Sequence, residues 1–315
     1  MNGKRARLRL AWMLLAAVLA IPSAAMATNG MYLAGYGTEA NGRGGTDIAI
    51  ADRALGLQSN PAGIAQLMGN HFTVDLQILM PDLDYGGDFF GNNLEGENNQ
   101  FFMPTFSYVR GGKETKWTWG IGMVSQGGMG AEFRGYSTPF GTTDNSFSEV
   151  RFATLTPAVA YSITPDLSIG LTAKLGYSDV AFKFWPNTSF FSGDPATSFF
   201  GADMKDPATA FNYAFRLGLM WRATPKWQFG FVYQNKTEGD YENGTLVLDQ
   251  SSIGLGKVSY DATVDNFTWP EEFGIGVQFR PTPNWMIALD VKEYKWSDAI
   301  TLIEVSGTNP SDPNA

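Results

Sequence analysis

The strongest constraint on the fold of this chain is a repeated alternation of apolar residues with small or polar ones. Between residues 167 and 177 every odd position is apolar and every even position is Ser, Gly, Thr or Lys. Successive side chains of a β-strand point to opposite faces, so the pattern predicts a strand with one apolar face. The same pattern recurs in 153–163, 213–221, 227–233, 273–279 and 285–291. The chain is therefore predicted to be all-β.

Two all-β architectures contain such strands. A soluble sandwich buries the apolar face against a second sheet, whereas a membrane barrel turns that face toward lipid. The opposite face here carries glycines and charged side chains, which suit a polar lumen: Arg216, Arg222, Asp290 and Lys292. Tryptophans gather at strand ends, where a ring can lie at the level of the lipid headgroups: Trp117, Trp119, Trp221, Trp227, Trp285 and Trp296. We therefore favour a transmembrane antiparallel β-barrel over the sandwich.

Residues 1–27 have the composition of a signal peptide. Basic residues (Lys4, Arg5, Arg7 and Arg9) precede an apolar run over 10–21, and Ala-Met-Ala at 25–27 offers a cleavage site. An uncleaved anchor is the alternative, but the run is shorter than the roughly 20 residues that span a bilayer as a helix. Export to the outer membrane of a diderm bacterium is the prediction.

Composition limits the chemistry that the chain can perform. It has no Cys, one His and a formal net charge of −9, and 17% of its residues are charged. These values argue against disulfides, thiolate metal sites and nucleic-acid binding. No nucleophile with an adjacent base and no metal-ligand spacing is recognisable, so we predict no catalytic residue, no metal and no cofactor. The protein is not expected to be an enzyme.

The turns predict a barrel with two unlike rims. Thr-Pro pairs at 164–165, 224–225 and 282–283 mark short turns, whereas long connections lie at about 85–100, 134–149, 183–210 and 236–268. About nine strands are predicted, over 71–84, 101–110, 117–133, 150–163, 167–184, 211–223, 227–247, 260–280 and 285–301. Bacterial single-chain barrels have an even number of strands. We therefore expect this sequence to be C-terminally incomplete.

Four further segments carry a resemblance to a known family. Residues 42–52 (GRGGTDIAIAD) and 59–65 (SNPAGIA) precede the first strand, and related patterns follow in 119–133 and 266–271. Together they resemble the FadL/TodX family of outer-membrane transporters for long-chain fatty acids and other hydrophobic compounds. The resemblance implies a fourteen-stranded barrel with an N-terminal hatch inside it. The expected organisation is a signal peptide (1–27), a hatch (28–70) and barrel strands (71–315).

The resemblance assigns roles to small residues of the hatch. Those that would pack or turn inside a narrow lumen are Gly42, Gly44, Gly45, Asp52, Asn60, Pro61 and Ala62. Pro restricts the residue before it, which favours a fixed turn at Asn60 and Pro61. The alternative is that these glycines serve turns alone.

Glycines also interrupt the third predicted strand, at Gly127, Gly128 and Gly130. Glycine inside a strand marks a bulge, a bend or a close approach of backbone. In the resembled family this strand is kinked inward and opens a lateral gap for the ligand. A bulge without any role in transport is the alternative.

Aromatic residues of the connection at 183–210 are candidates for ligand capture, because exposed apolar patches often bind: Phe184, Trp185, Phe190, Phe191, Phe199 and Phe200. Packing of the connection onto its neighbours is the alternative. By the resemblance, Met31, Tyr32 and Leu33 would line or plug an inner pocket. Arg216 is a weaker candidate as a carboxylate partner, since most lumen arginines pair with acidic residues.

The predicted function is passive, selective uptake of long-chain fatty acids or other hydrophobic molecules across the outer membrane. Transfer of such a ligand from an apolar site to water costs about 0.8 kcal/mol per methylene, which favours an apolar route with lateral release into lipid. The expected partners are a fatty acid or hydrocarbon, outer-membrane lipid and lipopolysaccharide, and the protein is expected to be a monomer. A structural or adhesive outer-membrane barrel is the alternative.

Overall fold

The structure is a computed structural model, and it describes residues 29–50, 52–88, 90–97, 99–112, 115–194 and 197–315. The predicted signal peptide lies outside the described residues. Residues Met31–Ala315 form one unit by their contacts, and the description below concerns that unit.

Fifteen strands are found in the described residues. They are β1 (Gly69–Leu79), β2 (Asp84–Gly86), β3 (Asn93–Glu95), β4 (Phe101–Gly111), β5 (Trp117–Ser137), β6 (Thr143–Thr164), β7 (Leu167–Phe190), β8 (Phe199–Asp206), β9 (Ala208–Thr224), β10 (Trp227–Gln234), β11 (Tyr241–Gln250), β12 (Gly256–Phe267), β13 (Glu272–Thr282), β14 (Trp285–Tyr294) and β15 (Ile300–Thr308).

Nine strands form a continuous antiparallel series, which we call the wall. Its order is β1, β4, β5, β6, β7, β9, β10, β13 and β14. Neighbours along the wall are joined by the predicted short turns and by longer connections. The predicted long connection at 134–149 was wrong, because β5 runs to Ser137 and β6 begins at Thr143, which leaves a short turn between two paired strands. The expected number of about nine barrel strands is therefore confirmed within the described residues.

Two predicted strand ranges, 227–247 and 260–280, were wrong as single strands. The wall strand β10 ends at Gln234, and residues 241–267 form β11 and β12, which pair with β8 and β15 instead of continuing the wall. The predicted loop at 183–210 is likewise mostly strand, because β7 runs to Phe190 and pairs there with β8. These connections satisfy their backbone hydrogen-bonding groups by pairing with each other, which alternation alone does not reveal.

The two faces of the wall differ in polarity. On β7 the side chains of Leu171 and Leu175 are 42% and 53% exposed, while the intervening Thr172 and Lys174 are at most 1% exposed. The same alternation of exposed apolar and buried small or polar residues runs along β9 and β13. An apolar face of this extent is stable in lipid and costly in water.

The helices are short. They are α1 (Thr38–Gly42), α2 (Gly56–Ser59), a 3-10 helix (Pro61–Gln66), a 3-10 turn (Ser251–Ile253) and α3 (Trp296–Ala299). Within the described part of the chain, none is long and apolar enough to cross a membrane. Of the three helices that precede β1, α2 and the 3-10 helix at Pro61–Gln66 pack against wall strands.

Candidate functional site

Residues 31–50 and 52–66, which we call the N-terminal segment, pack against glycines on the inner face of the wall. A Cβ atom added to Gly218 would overlap the side chain of Asn60, and one added to Gly170 would overlap the backbone at Pro61 and Ala62. Gly230 approaches the carbonyl of Ile48 equally closely. Gly170 and Gly218 lie opposite each other on β7 and β9. The glycines thus form a recess that receives the Asn-Pro-Ala sequence.

Asn60 connects three parts of this contact. Its Nδ2 donates to the carbonyl of Ile48 at 2.7 Å and to that of Leu219, on β9, at 3.1 Å. Its Oδ1 accepts from the backbone N–H of Ala62 at 3.1 Å, which caps the 3-10 helix that begins at Pro61. Asn60 is 1% exposed, so each of these bonds replaces one that water would otherwise make.

Charged residues hold the preceding part of the segment. Asp47 is paired with Arg53 at 2.8 Å, and Arg43 is paired with Asp52 at 2.9 Å. Burial raises the pKa of Asp47, while Arg53 and the hydroxyl of Ser59 oppose that rise. From the wall, the carboxylate of Asp290 accepts from the backbone N–H of Asp47 at 2.7 Å. Asp52 therefore lies in a surface ion pair and makes no ion pair with the wall among the described residues.

The three hatch glycines are not equivalent. The carbonyl of Gly45 accepts from Nζ of Lys292 at 2.8 Å, and a Cβ there would overlap the carbonyl of Ala34. Gly44 and Gly45 have φ values of 68° and 81°, which favour glycine. Among the described atoms nothing lies within 4 Å of a Cβ placed on Gly42 or Gly44. Close packing is thus found at Gly45, whereas Gly44 serves a turn.

A buried ion pair lies beneath the segment. Arg216 binds both carboxylate oxygens of Glu272, at 2.6 and 2.8 Å, and its Nε donates to the carbonyl of Ser59 at 2.8 Å. Arg216 and Glu272 are 3% and 4% exposed. Arg216 is therefore committed to an internal acid, and a ligand carboxylate would have to compete for it.

The strand β5 is bulged where glycines interrupt it. Ser125 pairs with Ala153 and Gly127 pairs with Phe152, so Gln126 is the extra residue. Its side chain is buried, accepts from Lys174 Nζ at 3.3 Å and donates to the hydroxyl of Tyr36 at 2.7 Å.

The N-terminal segment meets β5 at this bulge. Tyr32 and Gly127 form an isolated antiparallel bridge, and the N–H of Gly128 donates to the carbonyl of Met31 at 2.9 Å. A Cβ at Gly127 would overlap that carbonyl, and one at Gly128 would lie 2.5 Å from the carbonyl of Val150. Gly130 instead faces the ring of Phe101, which is the end of a side chain and can move.

A cavity of about 480 Å³ adjoins the bulge. Its lining includes Gly127, Gly128 and Phe152 on the inner side. Phe102 and Met129 also line it and are 61% and 56% exposed on the apolar outer face. The cavity thus lies in the wall, between the lumen and the outside.

Tyr32 occupies what we call the aromatic cage, formed by Phe152, Trp269, Tyr294 and Trp296. Its ring centroid lies 5.2 Å from that of Trp269, 5.5 Å from Tyr294 and 5.6 Å from Trp296. Phe152 stacks on the ring of Trp269 at 4.4 Å. The sequence interpretation of Trp296 as an interfacial residue is wrong, because α3 turns this ring toward Tyr32.

The aromatic residues of the 183–210 connection form a second cluster. Trp185 and Phe199 lie 5.2 Å apart, and Phe140 stacks on Phe199 and Phe190 at 5.1 Å each. Phe184 contacts Trp185 at 4.9 Å. Among the described ring contacts, none joins Phe191 or Phe200 to this cluster.

Several site residues were not singled out in the sequence analysis. Phe140 lies in the turn between β5 and β6, and Phe152 is a large aromatic residue at an inward-facing position of β6, just before the alternation over 153–163. Trp269 lies within 266–271, a segment that carried the family resemblance. These residues come into contact because the strand register places positions that are far apart in the chain next to each other.

Comparison with known proteins agrees with this fold. The family described as outer membrane protein transport protein (OMPP1/FadL/TodX) matches residues 16–311. The toluene transporter TbuX of Ralstonia pickettii is 21% identical with a TM-score of 0.73, over 89% of this chain and 77% of that one. The toluene transporter TodX of P. putida is 20% identical with a TM-score of 0.72, over 87% and 73%. A Pseudomonas aeruginosa FadL homologue is 14% identical with a TM-score of 0.63, over 88% and 72%.

No curated protein sequence matches. The family match nevertheless extends over nearly the whole chain, and the two solved toluene transporters share its fold with TM-scores above 0.7. The predictions of a transmembrane antiparallel β-barrel, of an outer-membrane location and of a protein that is not an enzyme are confirmed. The chain belongs to the OMPP1/FadL/TodX family of outer-membrane transport proteins.

Proposed function

We propose that this protein is a channel for the passive uptake of hydrophobic molecules, in which the N-terminal segment is the hatch and β5 is the site of lateral release. The observation that carries the proposal is the bulge of β5, where the hatch pairs with the wall next to a cavity of about 480 Å³. A hydrophobic ligand that leaves there enters lipid directly and avoids the cost of hydration.

A single side chain separates the aromatic cage in the lumen from the cavity in the wall. Phe152 belongs to the aromatic cage and also lines the cavity. A rotation of this one ring would therefore join the cage to the cavity, since side-chain rotamer changes are common in proteins. Beyond it, Phe102 and Met129 offer apolar surface on the lipid side.

The hatch explains how the channel excludes polar solutes. Asn60 and the recess at Gly218 fix the middle of the segment to the wall, and Asp290 and Lys292 fix its earlier part. Small inward residues let the segment lie close to the strands. A hydrophobic ligand needs only the passage at β5, whereas a hydrated solute would require displacement of the whole segment.

The second aromatic cluster is proposed as the surface of first capture. Its members Phe184 and Phe190 are 49% and 42% exposed, and the adjacent Phe191 is 44% exposed. They lie on or beside the β7–β8 hairpin, at the rim of the long connections, which faces outside in bacterial barrels. Exposed aromatic surface of this kind binds hydrophobic molecules weakly and without a fixed orientation.

The relatives named above as toluene transporters make monoaromatic hydrocarbons the first ligands to test. A long-chain fatty acid is the second candidate, and Lys174 is the observation that favours it. This amine is 1% exposed and forms no ion pair among the described residues, its hydrogen bond there being to Gln126. A ligand carboxylate would supply the missing negative charge.

Uptake of labelled toluene and labelled oleate in cells that lack other channels for hydrophobic compounds tests the proposal. We expect at least one ligand to enter faster than in cells without the protein, in proportion to its outside concentration and without any nucleotide. Normal surface exposure with no uptake of either ligand would instead support a structural or adhesive barrel.

A further inference from the structure

The side chain of Tyr32 is itself a para-alkylphenol held in a complementary site. It is 5% exposed, its ring stacks on Trp269 at an interplanar angle of 27°, and Tyr294 and Trp296 approach at tilted angles. Stacked and tilted rings at these centroid distances are the favourable arrangements of aromatic pairs. The cage therefore fits a single six-membered ring.

The hydroxyl end of this site is polar and oriented. Nε2 of Gln234, on β10, donates to the hydroxyl of Tyr32 at 3.3 Å. Oε1 of the same amide accepts from Arg216 at 3.1 Å, and Arg216 is held by Glu272 at 2.6 Å. Because the guanidinium takes the amide oxygen, the amide N–H groups must point toward the cage. The site thus offers a fixed donor to a ring hydroxyl.

Among the described residues, the backbone of Met31 and Tyr32 contacts β5. The segment joins β5 there through one isolated bridge to Gly127 and the bond from Gly128 to the carbonyl of Met31. A free para-alkylphenol would restore the ring contacts and the hydrogen bond that Tyr32 gives up. The exchange therefore has to overcome mainly these backbone contacts and the entropy of binding.

We infer that the aromatic cage is a binding site for monocyclic phenols with a small para-alkyl group, of which p-cresol is the simplest, and that Tyr32 occupies it when the ligand is absent. The inference rests on the proposed function, since it names the ligand class of the same channel. It distinguishes phenols from plain hydrocarbons such as toluene, because only the phenol satisfies Gln234. A buried polar group left without its partner is costly, so the hydrocarbon is disfavoured.

The first experiment opens the site. Tyr32→Gly removes a side chain that has the shape of p-cresol, and it leaves a cavity lined by the rings of the aromatic cage. Cavities of this kind bind small aromatic molecules. In detergent-solubilised protein, we expect Tyr32→Gly to bind p-cresol about tenfold more tightly than toluene, and more tightly than the unchanged protein does. Equal affinity for both ligands, or no binding of p-cresol, would overturn the inference.

The second experiment tests the hydroxyl contact in the intact channel. Gln234→Leu should reduce the ratio of p-cresol uptake to toluene uptake several-fold, by slowing the phenol and leaving toluene unchanged or faster. Gln77→Leu makes the same replacement at a partly buried position on β1, outside the aromatic cage, and should leave the ratio as it was. An unchanged ratio in Gln234→Leu contradicts the inference.

The two proposals fail in different ways. If the unchanged protein takes up toluene but shows no preference for p-cresol over toluene, the phenol site is wrong and the channel function stands. If it transports neither toluene, p-cresol nor oleate, the channel function is wrong. Binding of p-cresol by Tyr32→Gly without any transport would support the site and count against the channel.

Discussion

At the scale of single residues, the inner face of the wall is held by a few fully buried polar side chains. Asn60 binds the hatch to β9, and Arg216 with Glu272 joins two wall strands beneath it. In a lumen of this kind each such group is favourable only while its partners are present. Removal of one partner should therefore lower the free energy of unfolding by far more than the hydrogen bond or ion pair itself contributes.

Glu272→Gln tests the buried pair. It leaves the charge of Arg216 without a carboxylate, and we expect the free energy of unfolding in detergent to fall by about 3–5 kcal/mol. The neighbouring Glu271→Gln is the matched control. Glu271 pairs with Lys295 at a partly exposed position, and ion pairs near solvent contribute little. Equal unfolding midpoints of the two variants in urea would contradict this account.

Asn60→Ala tests the hatch contact. The change removes a donor to two carbonyls and a cap of the 3-10 helix, and we expect a loss of about 1–3 kcal/mol in the stability of the hatch. Cells with this variant should become more sensitive to a large polar antibiotic. Asn70→Ala, on the exposed face of β1, should leave sensitivity unchanged, and the same sensitivity in both variants would argue against the contact.

At the scale of elements, β5 is unlike its neighbours. It is a regular wall strand up to Ser125, then bulges at Gln126 and receives the backbone of Met31 and Tyr32. At the three glycines after the bulge, neighbouring atoms already occupy the space that a side chain would need. The glycines in the sequence predict that β5 is interrupted. Only the folded chain shows that the backbone of Met31 and Tyr32 pairs with β5 at that point.

Gly128→Val tests the proposed lateral release. The added Cβ would lie 2.5 Å from the carbonyl of Val150, so β5 must shift and the cavity should narrow. We expect uptake of a hydrophobic ligand to fall several-fold while the amount of folded protein in the outer membrane is unchanged. Ala131→Val adds the same side chain farther along β5 and should transport normally. Uptake by Gly128→Val at the unchanged rate would count against a passage at this strand.

At the scale of the whole molecule, the polarity of the two faces decides which solvent each one meets. The outer face carries apolar side chains at alternate positions of every wall strand, and the inner face is covered by the N-terminal segment. The protein is therefore stable only where lipid replaces water around it.

Leu217→Arg tests this orientation. Leu217 lies in the middle of β9 and is 46% exposed on the outer face. A charged side chain near the bilayer centre costs about 2–4 kcal/mol in barrels of this kind, so we expect less complete insertion into vesicles. Ser306→Arg, exposed on β15 outside the wall, should insert as the unchanged protein does. Insertion of Leu217→Arg to the same extent would show that this face does not meet lipid.

The sequence by itself determined the all-β fold, the polarity of each face and the interruption at Gly127 and Gly128. These follow from local rules, since the period-two alternation and the conformational freedom of glycine belong to short stretches of chain. Only the tertiary structure decided that 241–267 leaves the wall, that Arg216 is held by Glu272 and that Tyr32 packs against both Trp269 and Trp296. Those contacts join residues up to hundreds of positions apart, and they depend on strand register and on the path of the chain through the lumen, which no local pattern encodes.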